Sequence, residues 1–205
     1  MSSDGYKLGF CLGIIASIFI FIGYMIASFG DISNARKIEK NMENTVYLDL
    51  KNGRVVIRML PNIAPKHVDR IKKLVRSGFY DGLPFYRVID GFMAQCGDVS
   101  SEKKGVGEKK IPAEFTSKYS HKRGAVSMAR SNDPNSADNQ FFIVISDSDY
   151  LDGEYTIWGY VIDGMEYVDR IKKGDIINDG LVVNPDKIVK MSIASDVEMK
   201  KEKKE

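Results

Sequence analysis

Only two histidines and two cysteines occur in the 205 residues, and that scarcity excludes several chemistries at once. Cys11 sits in an apolar run near the N-terminus and Cys96 lies far along the chain, so no disulfide framework is expected. Cys11 precedes most of its apolar run instead of following it, which does not fit a lipid-attachment cysteine. His67 and His121 accompany no Gly-x-Ser-x-Gly elbow and stand beside no cysteine in a recognisable motif, so nucleophilic hydrolysis lacks support. No glycine-rich phosphate loop opens a helix. The stretch NDPNSADN at 132–139 has some calcium-loop composition but lacks the sixth-position glycine and the closing glutamate. Nor is there an excess of one charge: 30 basic against 28 acidic residues is too even to imply a nucleic-acid partner.

What the chain does have is 43% apolar residues, enough for one medium-sized core with appendages. Part of that content is concentrated at the start. LGFCLGIIASIFIFIGYMIASFG, residues 8–30, carries no charge over 23 positions. As a helix at ~1.5 Å per residue it would span a bilayer core of about 30 Å. It has no polar face, which excludes a buried core helix, and it exceeds the roughly 7–15 residues of a signal-peptide core. Residues 1–30 are therefore expected to be an uncleaved transmembrane anchor, favoured over a cleaved signal. Lys7 lies on one side and Arg36, Lys37 and Lys40 on the other. That count leans against export, but long domains translocate largely regardless of charge. An anchor at the extreme N-terminus resembles a bacterial signal-anchor, which points to a domain on the periplasmic or extracytoplasmic side.

Residues 31–44 are polar without sustained periodicity and read as a linker. From Thr45 the pattern turns strand-like: Val46–Leu50 and Arg54–Leu60 flank Asn52-Gly53, a hairpin signal. Pro65 suits the first turn of a helix whose apolar face is Val68, Ile71, Leu74 and Val75, with Gly78 as its stop. A second short helix is predicted at about 164–173, with Met165, Val168 and Ile171 inward. Six further apolar runs, at 85–89, 92–95, 125–129, 140–145, 156–162 and 188–193, are separated by Gly, Asp, Asn and Pro. Many short strands with such turns suggest a barrel or a sandwich. The mixed-charge end, 197–205, reads as a disordered tail.

Large apolar residues surround one arginine and two glutamines. GFYDGLPFYRVIDGFMAQCGD at 78–98 resembles the signature segment of the cyclophilins. GAVSMAR at 124–130, SADNQFFI at 136–143 and LDGEYTIWG at 151–159 resemble the family's later blocks in the same order. The resemblance spans about Thr45 to Ser195, within a domain taken as 45–196. It implies a mainly β fold: a closed eight-stranded antiparallel barrel capped by two α-helices. Arg87 matches the family's catalytic arginine, and Gln95 matches a polar group that binds the peptide and is expected to orient Arg87 or the carbonyl of the target bond. Phe92, Met93 and Phe142 match the walls of the proline pocket, with Leu151 at its rim. Gln140 matches a peptide-binding polar group, and Ala129 and Arg130 match residues whose backbone lines the groove. Tyr155 replaces a pocket histidine, Arg130 an asparagine, and Tyr150 a tryptophan tied to cyclosporin binding, which puts tight binding of that drug in doubt. Tyr86 and Cys96 stand where many relatives have His and Gly, and neither is expected to matter to catalysis.

The implied activity is peptidyl-prolyl cis/trans isomerisation, acting on proline-containing unfolded or folding polypeptides. No cofactor or metal is required, and a monomer is expected. The competing expectation is a proline-peptide binding module or membrane-tethered chaperone without relevant catalysis.

Overall fold

The structure, a computed structural model, describes residues 36–97 and 110–202. A helical stretch, α1, covers 36–43. There follow β1 (Thr45–Leu50), β2 (Gly53–Met59), α2 (Pro65–Arg76), β3 (Arg87–Ile89), β4 (Met93–Cys96), β5 (Ala125–Met128), β6 (Phe141–Val144), β7 (Ile157–Asp163), α3 (Met165–Asp169), β8 (Ile188–Ile193) and α4 (Ala194–Glu202). From Met42 onward these elements form one compact unit. The transmembrane anchor expected over 1–30 lies outside the described residues. Among those described, no helix is long and apolar enough to cross a membrane.

All eight strands join one antiparallel sheet in the order β3-β4-β6-β5-β7-β2-β1-β8. The Asn52-Gly53 signal becomes the β1–β2 hairpin, with Leu50 opposite Gly53. Each of the six later apolar runs becomes a strand. The expected closed barrel is corrected to a half-barrel, because the edge strands β3 and β8 share no ladder. Pro84 has no N–H to donate and β3 begins only at Arg87, so irregular chain stitches the seam. An isolated bridge joins Pro84 to Lys187, Phe85 N–H donates to Asp186 O (2.9 Å), and Ile188 N–H donates to Leu83 O (2.9 Å).

The strands alternate between two apolar faces, as period-2 geometry requires. Ala94 and Cys96 of β4, Phe141 and Ile143 of β6, and Val126 and Met128 of β5 point into the main core. Trp158, the sole tryptophan, is fully buried there, edge-on to Phe141 at 5.8 Å between ring centres. Met93, Phe142, Val144 and Ala125, on the same strands, form a second, smaller cluster on the opposite face.

The helix α2 starts at Pro65 and buries Val68, Ile71, Leu74 and Val75. Its N-cap, Ala64, has no side chain able to cap. Glu114, distant in sequence, takes that role by accepting the N–H groups of Lys66 and His67 at 3.1 Å each, which satisfies two orphan donors and places a negative charge at the positive helix end. The same carboxylate meets His67 Nδ1 at 2.7 Å. A second pair repeats this arrangement: Asp152 accepts His121 N–H and meets His121 Nδ1, both at 2.7 Å. In both rings Nε2 is buried without a protein partner among the described residues.

Three boundaries differ from expectation. The helix expected over 164–173 is α3, five residues long. Gly164 precedes it at φ 80°, where a Cβ would lie 2.2 Å from Arg54 O; beyond Arg170 the chain turns so that Ile171 enters the core and Gly174 N–H reaches Val88 O. The linker expected over 31–44 is helical from 36 to 43. The tail expected to be disordered from 197 instead continues α4 to Glu202, fastened at its start by Arg76–Asp196 (3.0 Å) and Ser195–Glu43 (2.9 Å).

The two histidines give folding stability a pH dependence. Burial pushes both ring pKa values down, more than the facing carboxylates push them up, because protonation would place a second N–H at a partnerless Nε2. Below about pH 6.5 the unfolded chain takes up protons that the folded one resists, so stability falls as pH drops from there toward the depressed folded values. Each histidine contributes a slope of at most about 1.4 kcal/mol per pH unit. Urea unfolding at pH 7.5 and pH 5.5 should show a lower midpoint at the acid pH, and equal midpoints would refute the assignment.

Candidate active site

The register across three short strands assembles the site. Arg87 in β3 pairs with Gln95 in β4, and Gln95 pairs with Phe142 in β6. Directly paired residues share a face, so a cation, an amide and an aromatic ring stand in a row on the side away from the main core. Met93, two residues before Gln95, shares that face and is 1% exposed. Phe92, just before β4, and Leu151, at the end of the 3-10 turn Asp149–Leu151, close the apolar wall. The result is an open cleft of about 350 Å³. Arg87, Phe92, Met93, Gln95 and Phe142 line it, and so do Ala129, Arg130, Leu151 and Tyr155, together with Tyr150.

Several lining residues are held by ring and hydrogen-bond contacts. The Phe142 ring stacks on buried His121 (6.3 Å, 15°) and meets Tyr155 edge-on (5.5 Å, 85°). Phe92 contacts Tyr150 at 5.8 Å. The Arg130 guanidinium lies over the Tyr155 ring at 4.7 Å, and its Nη2 donates to Glu154 Oε2 at 3.1 Å. Ala129 contributes backbone: its N–H donates to Gln140 O at 2.8 Å.

Gln140 does not line the cleft itself; it belongs to a directional hydrogen-bond relay. The Tyr86 hydroxyl donates to Gln140 Oε1 (2.7 Å) and accepts from Gln95 Nε2 (2.5 Å), and Gln95 Nε2 also reaches Gln140 Oε1 (3.3 Å). With the Gln95 amide nitrogen committed there, Gln95 Oε1 faces Arg87 and accepts from its Nη1 at 3.2 Å. Burial pushes the Tyr86 phenol up to about 12, so it stays a donor at any ordinary pH. Tyr86, set aside in the sequence, is thus central to the network. It precedes β3, so strand alternation does not carry it to the face opposite Arg87. Cys96 is buried in the main core. Gly97 (φ 129°) supports the relay by allowing close approach, since a Cβ there would lie 2.6 Å from Gln140 Cα.

Asp179 holds the other side of Arg87. Its carboxylate accepts from Arg87 Nη2 (2.7 Å) and Nε (3.1 Å), and its carbonyl also accepts from Nε (3.0 Å). The fork-on-fork geometry aims a guanidinium better than a single contact could, and it holds the Asp179 carboxyl below the usual carboxylate range. Asp179 sits at φ 54°, left-handed like Gly180 after it, and this turn brings the side chain back over β3. No motif marked it in the sequence. Gln95 and Asp179 occupy three of the five guanidinium N–H groups, which leaves one hydrogen on each terminal nitrogen for a ligand in the cleft. A larger cleft of about 410 Å³ lies elsewhere, among Arg54, Arg76, Lys190 and Asp196, but its charges largely pair with one another and it holds none of this network.

Comparison with known proteins agrees with this geometry. The family model for cyclophilin type peptidyl-prolyl cis-trans isomerases matches residues 45–193. A probable peptidyl-prolyl cis-trans isomerase of Brucella suis is 45% identical over 197 residues, covering 90% of this chain and 99% of the relative. A peptidyl-prolyl cis-trans isomerase of Arabidopsis thaliana is 34% identical over 189 residues, covering 88% and 79%. Among solved structures, a cyclophilin from Hirschia baltica superposes with a TM-score of 0.67 at 29% identity, over 76% of this chain and 75% of that one. A cyclophilin type isomerase of Cryptosporidium parvum, crystallised in the presence of the dipeptide Ala-Pro, gives 0.64 at 27% identity, over 73% and 98%. With the half-barrel fold, the matched family model and relatives along nearly the whole chain, this protein belongs to the cyclophilin-type peptidyl-prolyl cis-trans isomerases.

Proposed function

We propose that the cleft binds proline between Phe92, Met93 and Phe142 and that Arg87 drives rotation of the preceding peptide bond. The observation that carries this is a guanidinium clamped by Asp179 and Gln95 at the edge of an apolar pocket, with donors still available. The Ala-Pro dipeptide present with the Cryptosporidium relative supports a proline ligand.

Peptide-bond rotation faces a barrier of ~18–20 kcal/mol, because resonance gives the C–N bond double-bond character. X-Pro bonds populate both isomers but exchange in tens to hundreds of seconds unaided. No bond must break, so the catalyst has only to bind the twisted amide better than either planar form. Twisting localises a lone pair on the proline nitrogen. An Arg87 N–H aimed there makes a hydrogen bond that the planar amide cannot accept. The apolar walls hold the ring, and the Tyr86–Gln95 relay keeps the guanidinium from turning. These groups need neither cofactor nor metal for this chemistry.

We further infer that residues 8–30 anchor the enzyme and that its clients are proline-containing chains on the extracytoplasmic face. The support is the 23-residue uncharged run, followed by a domain long enough to translocate regardless of the flanking charges. The protein should stay in the membrane pellet after alkaline carbonate washing, and protease added to intact spheroplasts should digest the domain. Release by carbonate would overturn the anchor, and protection from protease would reverse the orientation.

Arg87→Ala should lower kcat/KM on an X-Pro peptide by roughly two to three orders of magnitude, the range for loss of a positioned transition-state donor, with peptide affinity far less affected. Phe142→Ala should lower affinity and turnover together, because it opens the pocket itself. A rate intact in Arg87→Ala, with binding abolished in Phe142→Ala, would make the site a proline-binding module and not a catalyst.

Tyr86→Phe removes one hydroxyl from the relay without altering the ring. Its kcat should fall roughly 2–10-fold, the equivalent of one hydrogen bond, with KM little changed. A rate equal to wild type would mean that the hydroxyl does not position Gln95.

A further inference from the structure

The loop that supplies Asp179 carries a second feature. Ile176, Ile177, Leu181 and Val183 are 70%, 88%, 57% and 77% exposed. They are four of the eleven large apolar residues left exposed among the described residues, gathered within eight positions. A soluble surface tolerates single exposed aliphatics, but a cluster marks an interaction site.

The cluster belongs to a braced loop. Gly174 N–H donates to Val88 O (2.9 Å), Val88 N–H to Gly180 O (2.8 Å) and Val182 N–H to Tyr86 O (2.9 Å), so the neck of the loop runs hydrogen-bonded along β3. Isolated bridges pair Leu181 with both Arg87 and Asp175. Two glycines make the fit close: a Cβ at Gly174 would lie 1.9 Å from Gly180 O, and one at Gly180 would lie 2.4 Å from Ile89 Cγ1. At the tip, Asp175 accepts Ile177 N–H at 2.9 Å and fixes the turn. The aliphatic side chains therefore stand in water on a fixed support, and the loop that carries them meets Arg87 of the cleft through the Leu181 bridge and the Asp179 carboxylate.

We propose that this loop extends the substrate groove: Ile176 and Ile177 receive aliphatic side chains of the client polypeptide beyond the proline held in the cleft. The proposal rests on the reading of the Arg87 cleft as the isomerase site. A chain leaving the cleft past Arg87 meets this loop next, because Asp179 of the loop grips that same side chain. Clients would thus be selected for apolar sequence flanking the target proline, as an unfolded chain displays it. A braced strip needs no ordering on binding, so the contact retains more of its apolar gain.

The test uses the full-length chain and its Ile176→Ser/Ile177→Ser variant. Both side chains are exposed, so folding should be unaffected, and equal thermal midpoints would verify that. The substrates are an X-Pro tetrapeptide too short to reach the loop and two peptides of about twelve residues with one central X-Pro bond. One long peptide has Leu or Ile on both sides of the bond, and the other has Ser at the same positions. The double variant should match wild type within about twofold on the tetrapeptide. On the aliphatic peptide it should lose roughly tenfold in kcat/KM, through KM, and with that the preference over the Ser peptide. A double variant that handles the aliphatic peptide as wild type does would overturn the proposal. So would a wild-type dimer, or wild-type binding to lipid vesicles, that the substitutions abolish while long-peptide kinetics stay unchanged. Failure of the wild-type protein to turn over even the tetrapeptide would instead sink the reading of the Arg87 cleft, and the extension with it.

Discussion

The register of β3 against β4 and of β4 against β6 is the constraint on which the site depends. Those ladders place Arg87 opposite Gln95 and Gln95 opposite Phe142. A slip of one residue would turn Arg87 and Gln95 toward the main core and bring Val88, Ala94 and Cys96 out to the cleft. That slip is prevented chiefly by the alternate positions: Val88, Ala94, Cys96, Phe141 and Ile143 are each fully buried, and their burial would be lost with it. The face that lines the cleft is thus specified by the packing of the face behind it.

A second layer converts approximate placement into direction. An arginine on a strand has several rotamers, and a half-exposed one would sample them. Here Asp179 takes Nε and Nη2 while Gln95 takes Nη1, so the guanidinium plane is set from two sides. Gln95 is in turn oriented by Tyr86, whose hydroxyl donates to Gln140 and so can only accept from the Gln95 amide. The exposed ion pair adds little to stability; its value lies in the angle it imposes.

The two buried histidines connect outlying chain to this centre. His67 and Glu114 tie the chain near 114 to the start of α2, supplying a helix cap that Ala64 cannot. His121 and Asp152 fasten the chain after Leu151 while the imidazole backs Phe142. Both rings resist protonation in the fold, so folding and the support behind Phe142 share one sensitivity to acid.

Much of this was legible in the residues alone. Period-2 alternation and glycine-bounded runs marked the strands, Pro65 and Gly78 bracketed α2, and two of the four ordered blocks carried Arg87, Phe92, Met93, Gln95 and Phe142, which the tertiary structure gathers around one cleft. These features are local: each is written within about twenty consecutive residues, where backbone geometry and side-chain period suffice. What the sequence alone left undecided was long-range. The seam between β3 and β8 carries no ladder and is stitched only by irregular chain, where Pro84 meets Lys187 from far away in the sequence. The helix at 194–202 owes its fastening to Arg76 and Glu43, which no pattern within the tail reveals. Asp179 reads as one more loop acid until two successive left-handed residues turn it onto Arg87. Tyr86 reads as a strand residue facing away until the chain before β3 leaves the alternation and lets its hydroxyl meet both glutamines. Short-range physics wrote the elements and the groups of the candidate site into the sequence. The angle at which those groups are held came from contacts between distant segments, which exist only once the chain has folded.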